Sequence, residues 1–311
     1  MNSIILHHYP PSLFSEKVRT LLGYLDLEWQ SVIIPPIMPR PHLMPLSGGY
    51  RKTPIMQIGA NVYCDTEIIC RHLNSLSEKP DLYAAGFNAE RVARWADTEL
   101  FRTTVALNFR PEAIAAQMSQ MSSADLEAFQ KDRAELSGGS AIVSVDPTSA
   151  EAHFKSLMDQ LARSLTTPFL FGDEPSIADF SLYHCLWFVA GNTANAHLMD
   201  PWPPVIDFMA RMRELGHGQF KEISAEAALE IGCQASPLLP DEARVDAAFA
   251  GGLTQSMLVG VAPNDYGRTS VEGQLVSWTR DEIIILREDP TAGSIAVHFP
   301  TQGFEVEATK R

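Results

Sequence analysis

Pro11-Ser12-Leu13-Phe14-Ser15-Glu16-Lys17-Val18-Arg19 stands between a strand-like run, Ile4-Ile5-Leu6, and a helix-like run carried by Val18, Leu21, Leu22 and Leu25. Apolar residues at one-turn spacing mark one face of a helix. The stretch therefore predicts a strand, a turn and a helix, with Ser12 at the helix N-terminus. The first N–H groups of a helix lack partners within it, and the helix dipole places positive potential there. An anion is favoured at that point, so a donating hydroxyl helps keep a ligand thiol ionised. The plainer reading of such a serine is an N-cap worth about 1 kcal/mol. Ser15 competes for the same role, although a hydroxyl further into a helix more commonly bonds backbone.

Outward from this turn, Arg51-Lys52-Thr53-Pro54-Ile55-Met56-Gln57-Ile58-Gly59 predicts a strand beginning just after Pro54, because proline cannot donate to a ladder. Spacing does not decide whether Thr53-Pro54 is cis, a form taken by about 5 to 6% of X-Pro bonds. A free N–H and C=O at Thr53 could pair with a short peptide as an added strand does. Asp65-Thr66 then opens a second amphipathic run, Ile68, Ile69, His72 and Leu73, whose first N–H groups suit a carboxylate. Between these elements, Pro35 to Pro45 carries five prolines and predicts a stiff loop over the pocket, with His42 within it.

In this order the elements resemble the thioredoxin-like first domain of the glutathione transferase superfamily. The resemblance implies that Ser12 stabilises the glutathione thiolate and that Phe14 belongs to the same binding turn. It further implies that Thr53, before a cis Pro54, pairs with the cysteinyl backbone. Asp65 and Thr66 would hold the γ-glutamyl group, and Lys52 would lie beside the glycyl carboxylate. Leu13 departs from the family pattern, where proline is common, and Thr53 from its usual valine or isoleucine. Asp65-Thr66 stands where Glu-Ser is usual, and the shorter acid draws the carboxylate back by a methylene.

After residue 80 the pattern becomes helical. Val92, Trp95, Ala96 and Leu100 share one face of a helix predicted from Asn88 to Phe109, with Arg91, Arg94, Asp97 and Glu99 at other positions. Further helices are expected over Gln120–Leu136, Ala150–Ser164, Phe180–Ala190 and Val205–Leu215. Ser176, followed three residues on by Asp179, reads as a capping-box variant. With the Gly172-Asp173 turn before it, this resembles the helical second domain of the same family. Beyond Ile223 a short helix (Ala225–Ile231) and a linker (Ala235–Pro240) precede five short strands. These are Met257–Val261, Gln274–Thr279, Ile283–Leu286, Ser294–Phe299 and Phe304–Glu307, split by turn residues. The expected organisation is a thioredoxin-like α/β domain (1–78), an all-helical domain (87–222), and a linker with a small antiparallel β module (223–311). So small a module is marginal alone and is expected to pack on the helical domain or a second subunit.

The chain has 311 residues, 45% hydrophobic, and a net charge of −14. Residues 1–80 hold seven Lys or Arg against six Asp or Glu, so the acidity lies outside the predicted site. Such a surface repels phosphate backbones and argues against nucleic acid. No leader-like or membrane-spanning run is present, so a cytoplasmic protein is expected. Cys64, Cys70, Cys185 and Cys233 stand far apart and are expected as buried thiols. His7 and His8 alternate to opposite faces of their strand and cannot chelate together, so no metal is expected.

The reading that follows is a transferase using glutathione as co-substrate. Its thiolate attacks a small electrophile lying against the helix that carries Arg94, Trp95, Thr98 and Phe101, with Trp95 and Phe101 also readable as core. Homodimerisation comes from the resemblance alone. Glutathione-dependent reduction through a protein cysteine is disfavoured by serine at position 12. The non-enzymic alternative is a family member that has become a binding or regulatory protein.

Overall fold

The computed structural model describes residues 3–118, 122–138 and 145–309. Around the Ser12 turn the chain forms β1 (Ile4–His8), α1 (Leu13–Leu25), β2 (Trp29–Ile33), the short α2 (Met44–Ser47), β3 (Ile55–Ile58), β4 (Asn61–Cys64) and α3 (Thr66–Leu76). β1 pairs parallel with β2 and antiparallel with β3, which pairs antiparallel with β4. Period-two alternation divides β1 between two cores. Leu6 packs with Val18, Leu21, Leu22, Ile69 and Leu73 under α1 and α3. Ile5 faces the opposite core with Val32, Ile55 and Val62.

The helical segment contains α4 (Phe87–Trp95), α5 (Phe101–Asn108), α6 (Pro111–Met118), α7 (Ser123–Ser137), α8 (Pro147–Ser164), α9 (Ile177–Ala190) and α10 (Pro203–Glu214). α4 and α5 form the rod predicted as one helix, but a π turn at Ala96–Leu100 interrupts it. The predicted start of α7 at Gln120 lies outside the described residues. α9 is buried along most of its length, as a helix without a polar face requires. Its start is fixed by Asp179, whose carboxylate accepts from the Ser176 N–H at 2.8 Å, the Ser176 hydroxyl at 2.7 Å and the Leu170 N–H at 2.8 Å.

β5 (Phe220–Glu222) returns the chain to the sheet, pairing parallel with β2, and α11 (Ala225–Gln234) follows. β6 (Leu258–Pro263), β7 (Val271–Trp278), β8 (Glu282–Asp289), β9 (Gly293–Pro300) and β10 (Phe304–Ala308) are antiparallel to one another and lie close to the predicted strands. Their principal junction differs from the expectation, because β9 pairs parallel with β4. The result among the described residues is one ten-stranded sheet, ordered β10-β6-β7-β8-β9-β4-β3-β1-β2-β5. The reason is physical: an outer edge of β4 offers unpaired N–H and C=O groups, and β9 satisfies them. Ile295, Val297 and Phe299 also extend the core that holds Ile5, Ile55 and Val62. No described helix is long and apolar enough to cross a membrane.

Three cysteines are buried as expected; Cys233 is exposed, because it lies on the outer side of α11 while Gly232 and Ala228 face inward. Among the described residues no group of three or more His, Cys, Asp or Glu could hold a metal.

Candidate active site

A cavity of about 440 Å³ opens at the junction of the sheet domain, α4–α5, α7 and the C-terminal strands. Ser12, Phe14, Lys52, Thr53, Pro54, Asp65 and Thr66 all line it. Its volume falls within the range of about 300–1,000 Å³ common to small-ligand pockets.

Ser12 is the N-cap of α1, and its Oγ accepts from the Ser15 N–H at 3.2 Å. That bond uses an oxygen lone pair and leaves the hydroxyl hydrogen without an acceptor among the described residues, so capping and donation to a ligand are compatible. Ser15 is fully buried, its Oγ has no partner among the described residues, and it does not line the cavity. The spatial arrangement thus separates two serines that spacing left in competition.

The Thr53-Pro54 bond is cis. The Thr53 backbone N–H and C=O have no partner among the described residues, while its Oγ1 accepts from Arg40 at 3.0 Å. Arg40 comes from the proline-rich loop and also donates to the carbonyls of Pro35, Pro36 and Arg51. That loop therefore borders the cavity through Arg40. His42 instead faces Glu226 at 3.1 Å.

Asp65 caps α3, its Oδ1 accepting from the Glu67 N–H at 2.9 Å. Its backbone, at φ 95° and ψ 141°, lies where residues other than glycine are seldom found. Burial raises the Asp65 pKa, with Lys52, the Glu67 N–H and Arg94 pulling the other way. Burial and the Asp65 charge together push the neighbouring Glu67 up to about 7. Lys52 Nζ pairs with Asp265 Oδ1 at 2.5 Å and lies 4.2 Å from the centre of the Tyr266 ring.

Arg94, Thr98 and Phe101 line the cavity, whereas Trp95 packs against the core. Asp97, read by helical phase as lying off the apolar face, is largely buried in the cavity wall. Lys17 Nζ meets its Oδ2 at 2.7 Å, and His184 Nε2 meets its Oδ1 at 2.9 Å. The π turn adds a residue to the helical turn that carries Asp97 and changes the phase at that point. Tyr9, Tyr50, Arg51, Arg102 and Arg133 also border the cavity and were not singled out from sequence. Asp265, Tyr266 and Gln302 were missed as well, since nothing in their turn sequences points to a pocket some 200 positions upstream in the chain.

A larger cleft of about 1070 Å³ lies elsewhere, lined by Tyr63, His72, Glu282 and His298 among others and by none of the predicted site residues. Two of its polar side chains are paired through His298. His298 Nδ1 donates to Glu282 at 2.7 Å, and Asn61 donates to His298 Nε2 at 2.8 Å.

A thioredoxin-like sheet domain, a helical domain and a cavity at their junction define the class of protein. Sequence comparison agrees: the model of the glutathione S-transferase N-terminal domain matches residues 6–81, and that of the C-terminal domain matches residues 111–211. The chain belongs to the glutathione S-transferase superfamily. Among solved structures, a GST-like protein from Pseudomonas syringae is 38% identical, with a TM-score of 0.80 over 98% of this chain and 99% of its own. Glutathione transferase F2 from Populus trichocarpa is 16% identical, with a TM-score of 0.50 over 68% of this chain and 93% of its own, a likeness of fold. No curated protein matches the chain. The family models end at residue 211, whereas the likeness to the P. syringae protein takes in the C-terminal strands.

Proposed function

We propose that the protein is a glutathione transferase in which the Ser12 hydroxyl and the N-terminus of α1 hold the glutathione thiolate for attack on a small electrophile. The observation that carries this reading is the Ser12 hydroxyl hydrogen, without an acceptor among the described residues, beside the Asp65 carboxylate and a Thr53 backbone likewise unpaired among them, in one cavity. A cysteine-type thiol titrates near about 8.5, and lowering that by about 2 units requires about 2.7 kcal/mol in favour of the charged form. One hydrogen bond to a charged acceptor contributes about 1.5–3 kcal/mol, and a helix N-terminus about 0.3–1 kcal/mol. Together they suffice without a separate base. The thiol proton leaves to solvent; the sulfur then forms a bond to the electrophilic carbon as the leaving group departs with its electron pair.

Thr53 pairs with the cysteinyl backbone in this reading, Asp65 and Thr66 take the γ-glutamyl group, and Phe14 and Pro54 shape the floor. The electrophile lies against Phe101, Val105, Phe109, Phe129 and Leu136, the apolar part of the wall. Family membership supports a cytoplasmic location and a homodimer as part of this reading. Because β9 covers the outer edge of β4, dimerisation would use another surface, and sizing in solution tests it.

The central test is Ser12→Ala, with glutathione binding measured by calorimetry and turnover measured on a chloronitroaromatic electrophile. Losing most of 2.7 kcal/mol lowers turnover by up to about a hundredfold while the dissociation constant stays within about threefold. Equal turnover in the variant overturns the role of Ser12. A wild-type protein that binds no glutathione overturns the whole reading in favour of a non-catalytic family member.

A further inference from the structure

The side of the cavity formed by the C-terminal strands comes from two loops. One, residues 264–267, follows β6, and the other, residues 301–303, joins β9 to β10. The Asn264 N–H donates to the Gly303 carbonyl at 2.9 Å and ties the loops together, while the Gly267 N–H donates to the Leu136 carbonyl at 2.9 Å and anchors them on α7. Gly267 has φ 63°, a left-handed conformation that favours glycine, and a Cβ there would stand 3.0 Å from a Leu136 methyl group. The anchored loop presents Asp265 to Lys52 at 2.5 Å and sets the Tyr266 ring 4.2 Å from the ammonium and 6.5 Å from the Phe101 centroid. Lys52, the cation that the family resemblance sets beside the glycyl carboxylate, is therefore already engaged from within the chain.

We propose that Asp265 determines specificity at this end of the site. By competing with the ligand's own carboxylate for Lys52, it makes the site favour a γ-glutamyl-cysteinyl-glycine thiol whose C-terminus is capped, as an ester or amide, over the free acid. The inference rests on the glutathione reading above. A lysine ammonium carries three donors but a single charge. A free glycyl carboxylate at Lys52 comes beside the Asp265 carboxylate, and like charges at hydrogen-bonding separation repel strongly in a partly closed cavity. Asp65, whose field Lys52 also offsets, adds to the negative side. A capped glycine brings no second anion and can still accept a hydrogen bond through its carbonyl.

The experiment is calorimetric titration of the full chain and of Asp265→Asn with glutathione and with its glycyl ethyl ester. The wild type is expected to bind the ester more tightly than the acid. In the variant, affinity for the acid rises by on the order of fivefold, while that for the ester changes less than about twofold. Asp265→Glu, which keeps the charge, retains the wild-type ratio of acid to ester. An unchanged ratio in Asp265→Asn, or a wild type that prefers the acid, overturns the role of Asp265 and leaves the site reading standing. Failure of both proteins to bind either ligand overturns the site reading and this inference with it. Should Asp265→Asn not fold, the wild-type ratio alone decides.

Discussion

Lys17 sits in the first turns of α1 with 1% of its surface exposed, and an ammonium is tolerable there only because Asp97 lies 2.7 Å away. Burial alone would raise the Asp97 pKa, but Lys17 and His184 hold it down to about 2, so the carboxylate is ionised throughout the working range. Removing one partner of a buried pair strands the other, at a cost of about 3–5 kcal/mol. Asp97→Asn is therefore expected to lose about that much in urea unfolding, and Lys17→Met in the same chain to recover part of it. A single-variant loss under about 1 kcal/mol would show that Lys17 finds another partner. Ser12, Thr53 and Asp65, singled out from sequence and found lining one cavity, owe their positions to a helix start or a strand start a few residues away. Asp97 owes its position to three elements meeting, α1, the π turn and α9, and no local spacing carries that information.

The start of α9 shows the same division one level up. Ser176 and Asp179 predict a helix N-terminus from their spacing, and the structure adds that Asp179 is fully buried and also receives the Leu170 N–H. Asp179→Ala leaves the Ser176 N–H, the Ser176 hydroxyl and the Leu170 N–H without their acceptor. A lost cap is worth about 0.5–2 kcal/mol, and a bond to a charged group about 1.5–3 kcal/mol, so a loss of about 3 kcal/mol is expected in chemical unfolding. A loss below about 1 kcal/mol would mean that water or a neighbouring group takes over. The strands after residue 257 were legible as strands because turn residues separate runs rich in β-branched side chains. Their attachment was not legible, because which edge a strand joins depends on what remains unpaired in the rest of the fold.

At the scale of the molecule, stability should respond to acid through histidines held neutral. His7 Nε2 donates to Gln57, whose own amide group donates to the Gly59 and Ala228 carbonyls; His7 Nδ1 is buried without a partner among the described residues. A proton on that nitrogen would find no acceptor, and burial lowers the His7 pKa from 6.5 to about 4. Burial likewise takes His8 to about 3, with Arg19 adding to the effect, and His72 to about 4, with His298 adding to it. The unfolded chain takes up these protons near 6.5 and the folded chain does not, so stability is full above that pH and declines as pH falls toward 4. Glu67 works in the opposite sense: it stays protonated in the folded chain up to about 7, and its contribution falls as pH rises from 4.5 through that window. Three histidines outweigh one glutamate. The heat-unfolding midpoint is therefore expected to fall between about pH 7 and pH 5, and a flat profile would contradict the neutral assignment.

Residue periodicity and turn chemistry by themselves determined the strand, turn and helix around Ser12, the change to a helical pattern after residue 80 and the positions of the C-terminal strands, because each is specified by neighbours within about one or two helical turns. Only the tertiary structure decided that β9 joins β4, that Asp97 neutralises Lys17, and that Asp265 reaches Lys52. Those contacts depend on which edges, charges and cavities stay unsatisfied once the elements have packed, a property of the assembled chain that no single stretch of it contains.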